Sequence, residues 1–267
     1  MITMNKPDLD VVRLIETHSA RCWPATFVDA LHGWEIRRTP DVSSGRVNSV
    51  NAIAPERGKF DLVLETARTH FAKQDEWPLI RIQPLAGEEP VDRMKELGLH
   101  GEGETVVKVS KLTDGLASSS LSCVVSDAIT PDWLSAYGDA HDTSVEERQA
   151  IARALSRVKA KQGFAVIYHE GRPVASGRGA FADGWVGLFQ ISTHPTMRRR
   201  GFGAAVVGSI LGWGREAGAQ NAYLQVETKN DTARRLYRNF GFEEAYRYTY
   251  WWLPDDIELA NPTPRIR

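Results

Sequence analysis

The chain has 267 residues, 42% hydrophobic and 25% charged, which is enough to bury a substantial core as one large domain or two ordinary ones. A formal net charge of −1 excludes the broad basic surface of a general nucleic-acid binder, and two cysteines, Cys22 and Cys123, are too few for a disulfide framework and fit a reducing compartment. Asp8, Asp10 and Arg13 interrupt the N-terminal apolar residues, and no stretch approaches about 18 uninterrupted apolar residues, so a soluble, cytoplasmic protein without a secretory segment or membrane contact is expected.

Along the first half, Gly45-Arg46-Val47-Asn48-Ser49-Val50 carries three polar residues, Arg46, Asn48 and Ser49, that either line a pocket or bond within a sheet. Periodicity predicts a helix over Phe60 to Phe71. A second apolar-periodic helix closes at Leu97-Gly98-Leu99 and precedes a strand at Thr105 to Val109. Thr113-Asp114-Gly115-Leu116-Ala117-Ser118-Ser119-Ser120 is small, polar and without either periodicity. It divides the chain into residues 1–112, a linker 113–120 and residues 121–267.

The second half opens with a strand near Ser122 to Ser126, helices at Pro131 to Ala140 and Val145 to Lys161, and a strand at Phe164 to Tyr168. His169-Glu170-Gly171-Arg172-Pro173 turns the chain into the hairpin partner Val174 to Phe181. Val186 to Ile191 is a mostly apolar run of strand length, and Pro195 ends its ladder because proline has no N–H to donate.

Arg198-Arg199-Arg200-Gly201-Phe202-Gly203 then opens a helix over Phe202 to Glu216, whose apolar stripe includes Ala204, Ala205, Val206, Val207, Ile210, Leu211 and Trp213. Glycines without Cβ, free amides of a first helical turn and three arginines are suited to a pyrophosphate, although glycine and arginine also share ordinary surface turns. A strand, Ala222 to Glu227, leads into Asn230-Asp231-Thr232-Ala233-Arg234-Arg235-Leu236-Tyr237-Arg238-Asn239-Phe240-Gly241-Phe242. There Asn230 or Asp231 caps a helix that buries Ala233, Leu236, Tyr237 and Phe240, and Gly241 ends it. The last strand is Tyr246 to Trp252, where the aromatics Tyr246, Tyr248, Tyr250, Trp251 and Trp252 are read as the alternating faces of a terminal strand in preference to a substrate box.

One offset relates the halves. Gly58 follows Arg57 as Gly201 follows Arg200, and 201 − 58 = 143; Leu97-Gly98-Leu99 matches Phe240-Gly241-Phe242, and 241 − 98 = 143. This self-similarity makes residues 1–112 a second, degenerate copy of the same plan, unless helices and glycine caps coincide by chance. Pro55, Phe60 and Met94 stand where Arg198, Gly203 and Tyr237 do, so the first half is not expected to bind the same ligand.

The two motifs of the second half, in order and without a gap, resemble those of the GNAT superfamily of acyl-CoA-dependent N-acyltransferases, over about Leu121 to Leu253. The resemblance implies an α/β (α+β) fold: a mixed, mostly antiparallel central sheet flanked by helices, in two tandem GNAT-like domains as in some bacterial members, which Gly33-Trp34-Glu35 and Gly45 to Val50 also resemble. It implies acetyl-CoA as co-substrate and no metal. Backbone groups of Ile191 and Thr193, with Ser192 between them, would take the pantetheine arm, and an N–H near Ile191 would polarise the thioester carbonyl. Arg198, Arg199, Arg200, Gly201, Phe202, Gly203 and Ala204 would hold the pyrophosphate. Tyr237 would hydrogen-bond or protonate the departing thiolate, with a core tyrosine as the alternative. Asn230 and Ala233 would contact the cofactor, Asn230 being equally suited to a helix cap.

The implied reaction is acetyl transfer to a primary amine, of a small molecule, by a monomer or homodimer. A non-catalytic acyl-CoA sensor and a protein or peptide N-acetyltransferase are the alternatives. No residue is assigned as general base. Glu227 is a candidate, with a solvated carboxylate favoured over it, and His141, Asp142 and His194 are weaker. No cluster has metal-ligand spacing.

Overall fold

The computed structural model describes residues 7–40, 42–74, 76–112 and 121–259. In chain order the elements are α1 (Leu9–Cys22), β1 (Phe27–Leu31), β2 (Trp34–Arg38), β3 (Ser49–Ala52), α2 (Phe60–Phe71), β4 (Leu79–Ile82), α3 (Glu89–Glu96) and β5 (Glu102–Lys111). They continue with β6 (Val124–Ser126), α4 (Pro131–His141), α5 (Val145–Ser156), β7 (Lys161–His169), β8 (Arg172–Ala182), β9 (Trp185–Thr193), α6 (Phe202–Glu216), β10 (Asn221–Glu227), α7 (Asp231–Arg238) and β11 (Glu243–Trp252). The α5 helix corrects the expected span: it stops at Ser156, and Lys161, the expected end, instead begins β7 by pairing with Phe181.

The chain divides into two compact units. One holds Met1–Arg13, Ala25–Thr105 and Tyr246–Arg267, the other Leu14–Pro24 and Val106–Ala245. The boundaries fall inside α1, β5 and β11; the expected linker, residues 113–120, lies outside the described residues.

In the first unit β1, β2 and β3 form an antiparallel meander, β4 runs parallel to β3, and β11 lies antiparallel beside β4. The crossover helix α2 buries Phe60, Val63, Leu64, Ala67 and Phe71, spaced three and four apart, into a core with Trp34, Ile36, Ile80 and Met94. Asn48 does not line a pocket: its Oδ1 accepts from Thr39 N at 2.6 Å and its Nδ2 donates to Val42 O at 2.7 Å, clamping the loop before β3. Ser49 donates to Gly45 O, so it too is bonded within the backbone.

The second unit repeats the plan at larger size. β6, β7, β8 and β9 are antiparallel neighbours, β10 is parallel to β9, and α6 is the crossover. Its core joins Val206, Val207, Ile210 and Leu211 of α6 to Ala165, Ile167, Val186, Leu188, Ala222 and Leu224 of the strands. Beside β10 lies the end of the β5 segment, where Leu112 N donates to Gln220 O at 2.9 Å. Each unit therefore takes a strand that the sequence places in the other half: β11 in the first, β5 in the second.

The end of α1 belongs to the second unit, and its polar residues are its anchors. His18 Nε2 lies 3.0 Å from Ala182 O and 3.2 Å from Trp185 O, which can only accept, so Nε2 carries the proton and Nδ1 accepts from Tyr223 Oη at 3.0 Å. Burial, the largest influence, holds the His18 imidazole below its ordinary value. Cys22 is buried beside it, and burial pushes its thiol up to about 12, an inert structural group.

Candidate functional site

The site starts from a ladder that stops early. β9 and β10 pair in parallel from Trp185↔Asn221 to Leu188↔Leu224, yet β9 continues to Thr193 and β10 to Glu227. On its other edge β9 shifts register against β8 between Ser176 and Arg178, and Gln190 is left-handed at φ +51°. A bulge of this kind bends a strand away from its neighbour and frees backbone groups that the ladder would otherwise use. Ser192 Oγ is tied to Ser176 Oγ at 2.9 Å, which fixes the strand beyond the bulge.

The freed end of β9 opens onto a cavity of about 580 Å³ lined by Ile191, Ser192, Thr193, Met197, Arg198, Arg199, Gly201, Phe202, Gly203, Ala204, Asn230, Thr232, Ala233, Leu236 and Tyr237, together with Ala140 and His141. Of the residues expected to contact the cofactor, Arg200 alone is not on its wall. The geometry of the loop is set by two left-handed residues, Arg199 at φ +66° and Gly201 at φ +82°. Gly201 is the cap residue of α6 and supplies no side-chain cap, and Ala205 makes the first i→i−4 bond, to Gly201 O at 3.0 Å. The opening amides of a 15-residue helix are thus presented at the cavity, with the positive end of its dipole. A Cβ built at Gly201 would meet only Leu121 Cδ1, at 3.7 Å, so the space beside the loop is open to a ligand. Arg198 braces the strand end through Nε to Thr193 O at 3.3 Å.

On the opposite wall, Asn230 Oδ1 accepts from Ala233 N at 3.0 Å, the cap role that was one of its two expected roles. Tyr237 is buried at the cavity wall with its ring edge-on to Phe242 at 6.0 Å. Glu227 is exposed, paired with Lys229 at 2.9 Å, and not on the cavity wall. His194 closes its own loop, its Nδ1 2.9 Å from Thr196 Oγ1.

The sequence offers His141 only as a weak candidate base in the gap between two expected helices, whereas it is the last residue of α4, which stops because Asp142 is left-handed at φ +53°. The His–Asp step after a helical run was the only local signal, and pairing with a loop some 57 residues later, since 198 − 141 = 57, is a tertiary fact.

The corresponding loop of the first unit is bonded differently. Gly58 is left-handed at φ +70°, as Gly201 is, but its N–H donates to Glu89 Oε1 at 2.8 Å. A carboxylate of the chain itself sits where an anion would be received, and the fully buried Met94 stands in the position of Tyr237. Among the described residues no group of three or more His, Cys, Asp or Glu side chains is placed to hold a metal, and no helix is long and apolar enough to cross a membrane.

Residues 10–251 match the family described as "Probable histone acetyltransferase Rv0428c C-terminal", and the chain belongs to that family. Its likeness extends to an uncharacterized N-acetyltransferase, YobR, of Bacillus subtilis (strain 168), with 24% identity across 91% of this chain and 98% of that protein. Among solved structures, a GCN5-related N-acetyltransferase from Kribbella flavida superposes with a TM-score of 0.70 at 18% identity, covering 91% of this chain and 96% of that one. A tandem GNAT protein from the clavulanic acid biosynthesis pathway gives a TM-score of 0.59 at 16% identity, covering 79% and 75%. The fold is that of GCN5-related N-acetyltransferases, and the chain is an acyltransferase of that class.

Proposed function

We propose that the cavity between β9, α6 and α7 binds acetyl-CoA and that the protein transfers the acetyl group to a primary amine of a small molecule by direct attack in a ternary complex. The observation that carries this reading is the convergence of three features in one cavity: the splayed end of β9, the left-handed loop opening α6, and the buried Tyr237. The residues fit the cofactor because the cradle offers helix-opening amides and arginines at Gly201, whereas the N–H of the corresponding Gly58 already donates to Glu89. Bound there, acetyl-CoA supplies an activated acyl group as its thioester.

In this reading the amides of Phe202 to Ala204, with Arg198 and Arg199, hold the pyrophosphate, and Arg200, off the cavity wall, takes no direct part. Backbone groups from Ile191 to Thr193 align the pantetheine arm in the gap that the early end of the β9–β10 ladder leaves. The N–H near Ile191 polarises a carbonyl placed against it, and a dipole already fixed by the strand costs little reorganisation during transfer. Tyr237 Oη gives a proton or hydrogen bond to the sulfur that leaves. Asn230 holds the start of α7 and Ala233 keeps that wall narrow. Holding the amine and the acyl group side by side supplies the proximity contribution.

The test is free-thiol release from acetyl-CoA over a panel of small amines and of lysine-bearing and N-terminal peptides, for the parent and Tyr237→Phe. A small amine is expected to give turnover, and the variant to lose on the order of a hundred- to ten-thousand-fold in kcat with acetyl-CoA affinity retained. Turnover on peptides alone would overturn the small-molecule assignment. Binding without thiol release on any acceptor would overturn catalysis in favour of a sensor.

A further inference from the structure

Resting on the reading of this cavity as a CoA site, we propose that His141 is the titratable wall of the phosphate cradle, and that it takes up a proton and contacts the anion when a pyrophosphate ligand binds. His141 reaches the cavity from α4, an element that carries no part of the expected phosphate loop. Its ring is held in place. It packs against Tyr137 at 4.7 Å between centroids, Tyr137 stacks parallel on Trp133 at 5.6 Å, and Trp133 Nε1 donates to Gly177 O at 2.8 Å. Across the same wall lie Arg198, Arg199 and the opening amides of α6.

The charges around His141 give the linkage its sign. Burial first, and the Arg198 guanidinium second, hold the imidazole below its ordinary value, while Glu147 of α5 acts in the opposite direction. Asp142 adjoins it in sequence, and Asp139, two residues back on α4, is already paired with Arg148 at 3.0 Å. In the free protein the imidazole is therefore neutral near pH 7. A pyrophosphate brought to the shared wall places two negative charges beside Arg198 and the imidazole. The repulsion between Arg198 and a protonated His141 is then outweighed by attraction to the anion, and the imidazole pKa rises. A group whose pKa rises on binding takes up protons between its free and bound values, so affinity increases as pH falls through that window. Uptake of a single proton limits the gain to about tenfold for each pH unit crossed.

The probe is 3′-dephospho-CoA, whose pyrophosphate keeps its charge across the range used. It is titrated calorimetrically into the full chain at pH 6.0, 7.0 and 7.5, in two buffers of different ionisation enthalpy, with pantetheine as the phosphate-free control. The expected result is net proton uptake with dephospho-CoA and none with pantetheine, together with binding that tightens, by up to about tenfold for each pH unit, from pH 7.5 to 6.0. In His141→Gln, shown to be folded by an unchanged melting temperature, uptake and pH dependence disappear. Uptake that persists in His141→Gln, or no uptake in a parent that does bind, overturns the role of His141 and leaves the cofactor site standing. No binding by the parent at any pH removes the cofactor site itself, so the two failures are distinct.

Discussion

At the scale of single residues, the site turns on which glycine needs its missing Cβ for conformation and which for space. Gly201 is left-handed at φ +82°, a region that costs an L-residue roughly 1–2 kcal/mol. Gly203 lies inside α6, and a Cβ there would meet Leu236 Cδ2 and Thr193 Oγ1 at 3.6 Å each, ordinary contact distances. The two alanine variants should separate accordingly. Gly201→Ala should lower the melting temperature by roughly 2–4 °C or somewhat more and weaken acetyl-CoA binding. Gly203→Ala should melt at or above the parent, because alanine favours helix, while its methyl still weakens binding by intruding on the cradle. Thermal melts and affinities of both variants check this; equal destabilisation would show that the loop strain is misplaced. The loop that opens α6 and the helix that carries Tyr237 are legible because each rests on local neighbours a few positions apart. His141 and the bulge at Gln190 are not. The first becomes part of the site only through tertiary packing, and a left-handed glutamine carries no compositional mark.

At the scale of elements, α1 is the instructive case. Asp8, Asp10 and Arg13 interrupt the apolar pattern, and the sequence alone predicts no helix there. The helix forms, and on it Val12 and Ile15 are buried beside Glu16, His18 and Ser19, polar residues that hide the stripe from any apolar count. His18 and Ser19 are satisfied by the second unit's own groups: Tyr223, Ala182 and Trp185 for His18, and Gln225 Nε2, at 3.2 Å, for Ser19. Because His18 is held neutral, its folded pKa is below the unfolded value of about 6.5. The stability it contributes is complete above that value and is lost as pH falls from there toward the folded pKa, since the unfolded chain binds the extra proton. The melting temperature should fall between about pH 7 and pH 5.5, and His18→Gln, which cannot titrate, should show a shallower decline over the same window from a lower starting point. Melts at several pH values decide it; identical slopes in parent and variant would assign the pH sensitivity to other groups.

At the scale of the whole molecule, the offset of 143 residues is matched element by element: α2 to α6, β4 to β10, α3 to α7 and β5 to β11, and in each unit the two strands that flank the crossover helix are parallel. What the repeat did not disclose is where the last strands go. Residues 106–112, with Leu112 bonded beside β10, belong to the second unit, and the first unit takes the end of β11 beside β4. Strand choice is decided by tertiary pairing, to which a local pattern of alternation is blind. It follows that residues 121–267 expressed alone lack both the β5 segment and the helix end 14–24 of their own unit. That fragment should be poorly soluble or molten by near-ultraviolet dichroism, and co-expression with residues 1–120 should restore a sharp melt. A fragment that melts cooperatively and binds acetyl-CoA alone would contradict this division. The account as a whole stands on the cradle at Gly201. Calorimetric titration of acetyl-CoA into the parent and into Gly201→Glu, both confirmed folded, measures it directly. The account predicts saturable one-site binding in the parent and none in the variant, whose carboxylate would fill the anion position as Glu89 does at Gly58; undiminished binding in the variant, or none in the parent, would contradict it.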